Sequence, residues 1–390
     1  MKKTSVTFKY ALFQAAYWAS SVLVYGYTRV FLMNYGCSAT AAGVVLAIGS
    51  LAAAFLQPLL GAFMHRRSLS LRAVLSAITS LGMLCALIML TKLSGPTVAV
   101  FFTLLAVMMN SSMGFLNASG FALQKDGETL NFSAARAVGS VSYALMSKLM
   151  SSLSSTNGML ACEISCAAAL TVLALTLLPK HDREQEITES VTKKEKGREF
   201  FLRNRDYILM LIGQTLIFFM HHIVTAFLFD ITEYCGGTEA QMGTAISVGA
   251  LAEMPGMLLA GRFMKKRSPA RLLQVSAIMY CVRTLLFLLF PSMGMLYAYE
   301  IMQMITFSFL IPVFPVFVEQ YVTPGDRLRC QTLNTGTSAA AGFLGFLLGG
   351  MLVDAYGAFV TLRIAFFVCV PGAFLLFFFA GRAARTPRKA

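Results

Sequence analysis

Charge is scarce in this chain of 390 residues. Only 13% of its residues are Asp, Glu, Lys or Arg, about half of the ~25% usual in soluble domains. So few charges cannot cover the surface of a water-soluble fold of this size. The length would allow two or three soluble domains, but the apolar runs exclude that reading. Paired cysteine motifs are missing as well. The eight cysteines lie scattered, mainly through apolar stretches, and read as small apolar residues. They imply neither a disulfide framework nor a metal site. No glycine-rich phosphate loop occurs, which leaves ATP-driven work without support. No cofactor is implied, and the chain reads as something other than an enzyme.

What is present in abundance is hydrophobic sequence, at 57%. Twelve apolar runs are long enough to cross about 30 Å of hydrocarbon at 1.5 Å per residue. They fall near 10–33, 40–63, 71–91, 96–122, 132–154, 158–178, 207–231, 241–263, 271–290, 294–318, 330–352 and 359–381. The first is too long for a cleaved leader and leads through "NYGCSAT" straight into the second. The expected fold class is therefore all-α and polytopic, with twelve transmembrane helices and both termini on one side of the membrane.

Basic residues orient the chain. Lys2, Lys3 and Lys9 precede the first run, and Arg66, Arg67 and Arg72 follow the second. Arg262, Lys265, Lys266, Arg267 and Arg271 follow the eighth, Arg327 and Arg329 the tenth, and Arg382, Arg385, Arg388 and Lys389 the twelfth. All fall on one face, and the other face has little beyond Lys92. That places both termini in the cytoplasm and the protein in the plasma (cytoplasmic) membrane. The net charge of +14 is then accounted for by topology and anionic lipid, without nucleic acid as a partner.

The segment from Lys180 to Asp206, "KHDREQEITESVTKKEKGREFFLRNRD", is the one long polar stretch. Mixed charge without apolar period marks a cytoplasmic linker. It separates an N-terminal half, 1–179, from a C-terminal half, 207–390. The two halves repeat one phrase. "GAFMHRRSLSLRAVLSAI", Gly61 to Ile78, returns as "GRFMKKRSPARLLQVSAI", Gly261 to Ile278. An unbroken register over this length points to duplication of a six-span unit, as in transporters whose halves are related by an axis along the membrane normal.

The whole chain resembles the major facilitator superfamily, and more narrowly its lactose-permease and phenylpropionate-permease (oligosaccharide:proton symporter-like) branch. "GVVLAIGSLAAAFLQPLLGAFMHRR" resembles that branch's second span and following turn, with His65 where the superfamily has an aspartate. "ARAVGSVSYAL" resembles the fifth-span segment in which an arginine and an aromatic ring hold a sugar. The resemblance assigns those roles to Arg136 and Tyr143. "VGALAEMP" resembles the eighth-span segment around a glutamate, here Glu253, and "SAIMYCVR" the ninth span with a buried arginine, here Arg283. "FMHHIVTAF" resembles a seventh-span segment whose histidine matches His221. In "EIMQMITFS", Gln303 stands where the family often has histidine. Asn117 is the polar group nearest the fourth-span acidic position of lactose permease.

The residues can also be read on physical grounds. Ionisable groups inside hydrocarbon cost about 2.5–3.5 kcal/mol each on insertion scales, so they face cavities and pair. Glu253 and Arg283 lie near mid-depth on consecutive spans, where an ion pair is geometrically reasonable. Such a pair could serve coupling, or merely fix helix packing. Glu300 lies about 10 Å inside the outer face, with Gln303 one turn deeper. Ser133, Arg136, Ser140, Tyr143 and Ser147 share one face of the fifth span, with Val138, Leu145 and Leu149 opposite. That stripe either lines water or bonds neighbouring helices. Tyr27 and Trp18 could offer rings to a solute. His221 and His222 point about 100° apart, which should keep both from one site. Arg29, Lys148, Glu163, Asp230 and Arg363 are expected to snorkel.

Three function classes follow. One is uptake of a small ring-containing solute, such as a sugar or aromatic acid, coupled to protons. Glu253, Arg283 and Glu300 would then handle the proton. Arg136, Tyr143, Ser140, Asn117, Gln303, His221 and Tyr27 would hold the solute. The second is proton-coupled efflux, disfavoured by the absence of the "GxxxGPxxGG" pattern in the fifth span. The third is a non-transporting sensor, which no appended soluble domain supports. A monomer is the expected functional unit.

Overall fold

The computed structural model describes residues 5–124, 130–153, 155–180 and 197–385. Lys2, Lys3, Arg388, Lys389 and most of the polar link lie outside the described residues. Within them the chain is helical and contains no strand. The helices are α1 (Val6–Gly26), α2 (Thr28–Met33), α3 (Ala39–Arg66), α4 (Leu71–Met89), α5 (Gly95–Ala122), α6 (Phe132–Leu153) and α7 (Thr156–Leu177). After the gap come α8 (Gly197–Arg203), α9 (Arg205–Ala226), α10 (Leu228–Tyr234), α11 (Glu239–Met264), α12 (Pro269–Leu289), α13 (Met293–Ile301), α14 (Phe307–Tyr321) and α15 (Arg327–Arg385).

Local chemistry sets many of the starts. Ser38, Ser70 and Ser155 each precede a helix in extended conformation and accept a hydrogen bond from the backbone N–H three residues on. That satisfies one of the donors a helix start leaves free. Pro269 opens α12 at a position where its missing N–H costs nothing. The 59 residues of α15 would span about 89 Å if straight, far more than a bilayer. Gly357, at φ 77 and ψ 167, turns the chain there, in a region glycine enters without a Cβ clash.

Among the described residues nine segments, the last of them the long Pro324–Arg385 stretch, are apolar and long enough to cross a membrane. The long helices α1 and α6 are not among them. α6 carries the serine-rich polar stripe, which lowers its mean hydropathy. Side chains on the outer surface are large and apolar, for example Leu145, Leu258 and Phe367. A contiguous skin of this kind suits hydrocarbon rather than water. The chain is a multi-pass membrane protein.

Three of the apolar runs prove to be interrupted, which hydropathy does not reveal. The first breaks at Tyr27 between α1 and α2, and the seventh at Phe227 between α9 and α10. These breaks are 200 residues apart, in the register of the repeated phrase. The tenth breaks at a 3-10 turn, Met302–Ile305, between α13 and α14. The polar link also holds more structure than its composition suggests, since α8 ends there in Arg203, which pairs with Asp326 at 2.8 Å.

Helices before the gap pack chiefly on one another, α1 against α5, α6 and α7, and α4 against α5 and α7. Helices after it do the same, α15 against α9 and α12, and α11 against α13 and α14. The two groups meet where α3 packs on α15, α6 on α11 and α1 on α9. The hydrogen bonds across these seams cluster at the end of the molecule that carries α2 and α10. Arg29 pairs with Asp230 at 2.9 Å. The backbone N–H groups of Ala39 and Thr40 donate to Asp354 at 2.9 and 2.7 Å. Lys148 Nζ donates to Thr244 Oγ1 at 2.8 Å, and Ser247 Oγ to the Ala144 carbonyl at 2.7 Å.

These contacts correct part of the snorkelling expectation. The Arg29 and Asp230 side chains are only 13% and 10% exposed, because each finds its counter-charge across the seam. Glu163 is fully buried and accepts from Ser20 Oγ at 2.7 Å.

Candidate functional site

Between the two groups lies a cavity of about 650 Å³, lined from both. α6 supplies Arg136, Ser140 and Tyr143, as its helical stripe predicts, while Val138, Leu145 and Leu149 face outward. Ser147, further along that stripe, is buried at the seam and donates to the Gly243 carbonyl at 3.4 Å. The stripe therefore does both things open to it, lining the cavity at one end and bonding a neighbour at the other.

The Arg136 guanidinium lies 3.9 Å from the centre of the Trp18 ring, a cation–π contact, and Nη1 donates to Ser140 Oγ at 3.1 Å. Tyr143 stands edge-on to Trp18, with centroids 6.2 Å apart. Trp18 is fixed in turn by its Nε1–H, which donates to Gln14 at 2.9 Å. Asn117 lines the same side. So do Tyr25, whose hydroxyl donates to Asn110 Oδ1 at 2.8 Å, and Gln57, which donates to the Asn110 carbonyl at 2.8 Å.

The other wall holds Glu253, Arg283, Glu300, Gln303 and His221. The break between α13 and α14 brings Gln303 Nε2 into a hydrogen bond with Glu300 Oε2. The loosened backbone there is held by Ser276, whose Oγ donates to the Thr306 carbonyl at 2.8 Å. α11 approaches closely because position 249 is glycine. A Cβ there would sit 2.6 Å from Glu300 Oε2 and 2.9 Å from Gln303 Nε2.

Nine of the ten sequence-predicted residues thus share one cavity. Tyr27 does not. It is buried at the break between α1 and α2, and its hydroxyl donates to the Ser147 carbonyl at 2.7 Å. The expected Glu253–Arg283 ion pair does not form. Arg136, across the cavity, is the cation whose charge Glu253 feels most, and Glu300 is its acidic neighbour. Arg283 instead lies between two rings, 4.4 Å from the centre of Tyr280 and 4.3 Å from that of Tyr299. Sequence depth fixed Arg283 and Glu253 at one level but could not say which way each side chain leaves its helix.

His221 and His222 both reach the cavity, against expectation. A cavity between helices can receive side chains 100° apart when it wraps round one of them. His221 stacks on Phe307 at 4.8 Å and 13°, and His222 meets Phe346 edge-on at 4.9 Å. The sequence reading did not find Tyr25, Asn110, Gln57 or His222 as site residues. The signal available was a polar side chain inside an apolar run, a cue they share with many serines and threonines that only bond their own helix.

Comparisons with known proteins bear on the architecture. A family model described as the MFS_1 like family matches residues 7–364. A candidate sugar efflux transporter of Deinococcus radiodurans is 27% identical over 152 residues, which cover 38% of this chain and 37% of that protein. The matched stretch therefore spans just over a third of that relative. Among solved structures, an alanine mutant of the nucleoside transporter NupG aligns with a TM-score of 0.82 at 17% identity, covering 96% of this chain and all of that one. A bacterial homologue of the human lysosomal transporter Spinster, in an inward-facing and occupied conformation, aligns with a TM-score of 0.70 at 13% identity, covering 97% and 96%. Likeness at such identities establishes the fold.

Proposed function

The chain belongs to the MFS_1 like family, a family of membrane transporters rather than enzymes, and from that premise we propose a proton-coupled symporter that takes up a small ring-containing solute by alternating access. The observation that carries the reading is the composition of the cavity between the helix groups. Aromatic rings, hydrogen-bonding side chains and the two carboxylates Glu253 and Glu300 converge there. A volume of about 650 Å³ lies within the range of small-molecule sites.

In this reading residues 1–179 and 207–390 are two six-span halves joined by the link at 180–206, both termini are cytoplasmic, and the monomer is the working unit. The long helix α15 counts as two spans, and α1 and α6 complete the twelve. The seam closed by Arg29–Asp230 and Asp354 faces outward, so the cavity opens towards the cytoplasm. Trp18, Tyr143 and Phe307 offer faces for a ring. Arg136, Ser140, Asn117, Gln303 and His221 offer hydrogen bonds to its substituents. Tyr27 supports the site from behind rather than touching the solute. Glu253 and Glu300 exchange the proton. One proton entering down 100 mV supplies about 2.3 kcal/mol, enough for roughly 50-fold accumulation of a neutral solute. The narrower kinship with lactose- and phenylpropionate-type symporters belongs to this proposal.

Efflux is the second reading, favoured by the name of the Deinococcus relative. Proteoliposomes separate the two. Labelled sugars, nucleosides and aromatic acids are offered outside, with the outer solution acidic or the lumen acidic. Accumulation under an acidic exterior, abolished by a protonophore, is the expected result. Accumulation only under an acidic lumen would establish antiport and overturn uptake.

A further inference from the structure

Arg283 is a strong side-chain donor without a protein acceptor. It is 1% exposed, yet Nε, Nη1 and Nη2 have no hydrogen-bond partner among the described residues, and neither does the buried hydroxyl of Tyr280 beside it. A guanidinium buried without acceptors is costly. Its contacts with the Tyr280 and Tyr299 rings are cation–π contacts and supply no acceptor for its N–H groups. Its five N–H donors form one planar fork, and the residue lines the cavity. Glu300, a carboxylate of the same cavity, is tied instead to Gln303. The matching group for a planar fork of donors is a planar oxyanion, which can accept two parallel bonds.

We propose that Arg283, clamped between Tyr280 and Tyr299, is the anion subsite of the cavity, and that the preferred solute carries a carboxylate. This rests on the transporter reading and narrows it. The ring of the solute lies towards Trp18 and Tyr143 while its carboxylate reaches across to Arg283. Solute recognition then uses both helix groups, which is what couples binding to their relative movement.

The test uses the purified full chain and two matched pairs of probes, D-glucuronate with D-glucuronamide and benzoate with benzamide. Trp18 is the sole tryptophan and lines the cavity, so its emission reports occupancy. Ligand-induced change in melting temperature reports it independently. The wild type should bind each carboxylate at least 10-fold more tightly than its amide. Arg283→Gln should remove that preference, Arg283→Lys should keep part of it, and Arg363→Gln, which removes a cation that stacks on Phe359 outside the cavity lining, should leave it intact. Equal binding of acid and amide overturns the proposal, as does a preference that survives Arg283→Gln or vanishes with Arg363→Gln. Absence of any response to saturating carboxylates overturns it too. Counterflow of labelled neutral sugar or nucleoside in proteoliposomes is measured alongside. If it persists while the charge preference fails, transport stands and only the anion subsite falls.

Discussion

Glu253 and Glu163 show how differently one residue type behaves in two settings. Glu253 lines the cavity, with Arg136 as the cation it feels most and Glu300 as its acidic neighbour. Glu163 is sealed between α1 and α7 with a single bond from Ser20, and its Oε2 has no partner. A group that exchanges protons during transport needs access to the cavity, which only Glu253 has of the two. Glu253→Gln imitates the protonated form permanently. Exchange of labelled solute at equal concentrations needs no net proton movement and should survive, while uphill accumulation should disappear. Retained accumulation in the Gln variant would move the proton site to Glu300. Loss of binding as well would place Glu253 in the solute site. Glu163→Gln keeps an acceptor for Ser20 and should leave both transport and melting temperature close to wild type. Glu163→Ala leaves the hydroxyl only its weak 3.7 Å contact with Met109 Sδ and a void behind it, and should cost about 1–3 kcal/mol in stability.

At the scale of helices, the apolar period shows where a span runs but not where it breaks. The extents of α3, α4, α5 and α6 agree with the runs read from the sequence to within a few residues, and local chemistry marks their starts: serine caps for α3 and α4, a proline in the first turn of α5, and Asn131, which accepts from the Ala134 N–H, before α6. The breaks at Tyr27, Phe227 and Met302–Ile305 have no such marker. They fall inside apolar runs, at places with neither a serine cap nor a proline to announce them. The site shows the same division. The stripe on α6 is legible because helical geometry fixes which residues share a face. That Glu253 and Arg283 do not pair depends on how separate helices face one another, and spacing within one helix carries no information about that. The close approach of α11 to the broken tenth run provides a test. Gly249→Ala puts a methyl 2.6 Å from Glu300 Oε2, against the movable end of a side chain rather than backbone. The melting temperature should therefore change little. Because Glu300 must leave Gln303 to make room, proton-driven accumulation should fall several-fold while exchange persists. A large loss of stability with unaltered coupling would show that the pair is structural.

For the molecule as a whole, the seam contacts determine which movement remains possible. One end is closed by a carboxylate–guanidinium pair of low exposure, by Asp354 at the N-terminus of α3, where helix polarity favours an anion, and by Lys148 on Thr244. Opening that end requires all three to part. Closing the other requires the basic turns around Ser68 and Ser268, related by the repeat, to approach. These are alternative states of one rocking motion, so holding either end should stop the cycle. A cysteine-free background, made by replacing the eight native cysteines, allows paired thiols to be joined at chosen positions. Bridging residues 29 and 230 with a short bifunctional reagent should hold the state described here. Solute should still bind from the open side with near wild-type affinity, while counterflow falls to background and returns on cleavage of the linker. Bridging 68 and 268 should also stop counterflow, but with the cavity accessible only from the opposite side. The two variants should therefore differ in which side of the membrane an impermeant thiol reagent reaches position 140. Full counterflow in the 29–230 bridged protein would mean that this end need not open, and the alternating movement proposed for the two halves would be wrong.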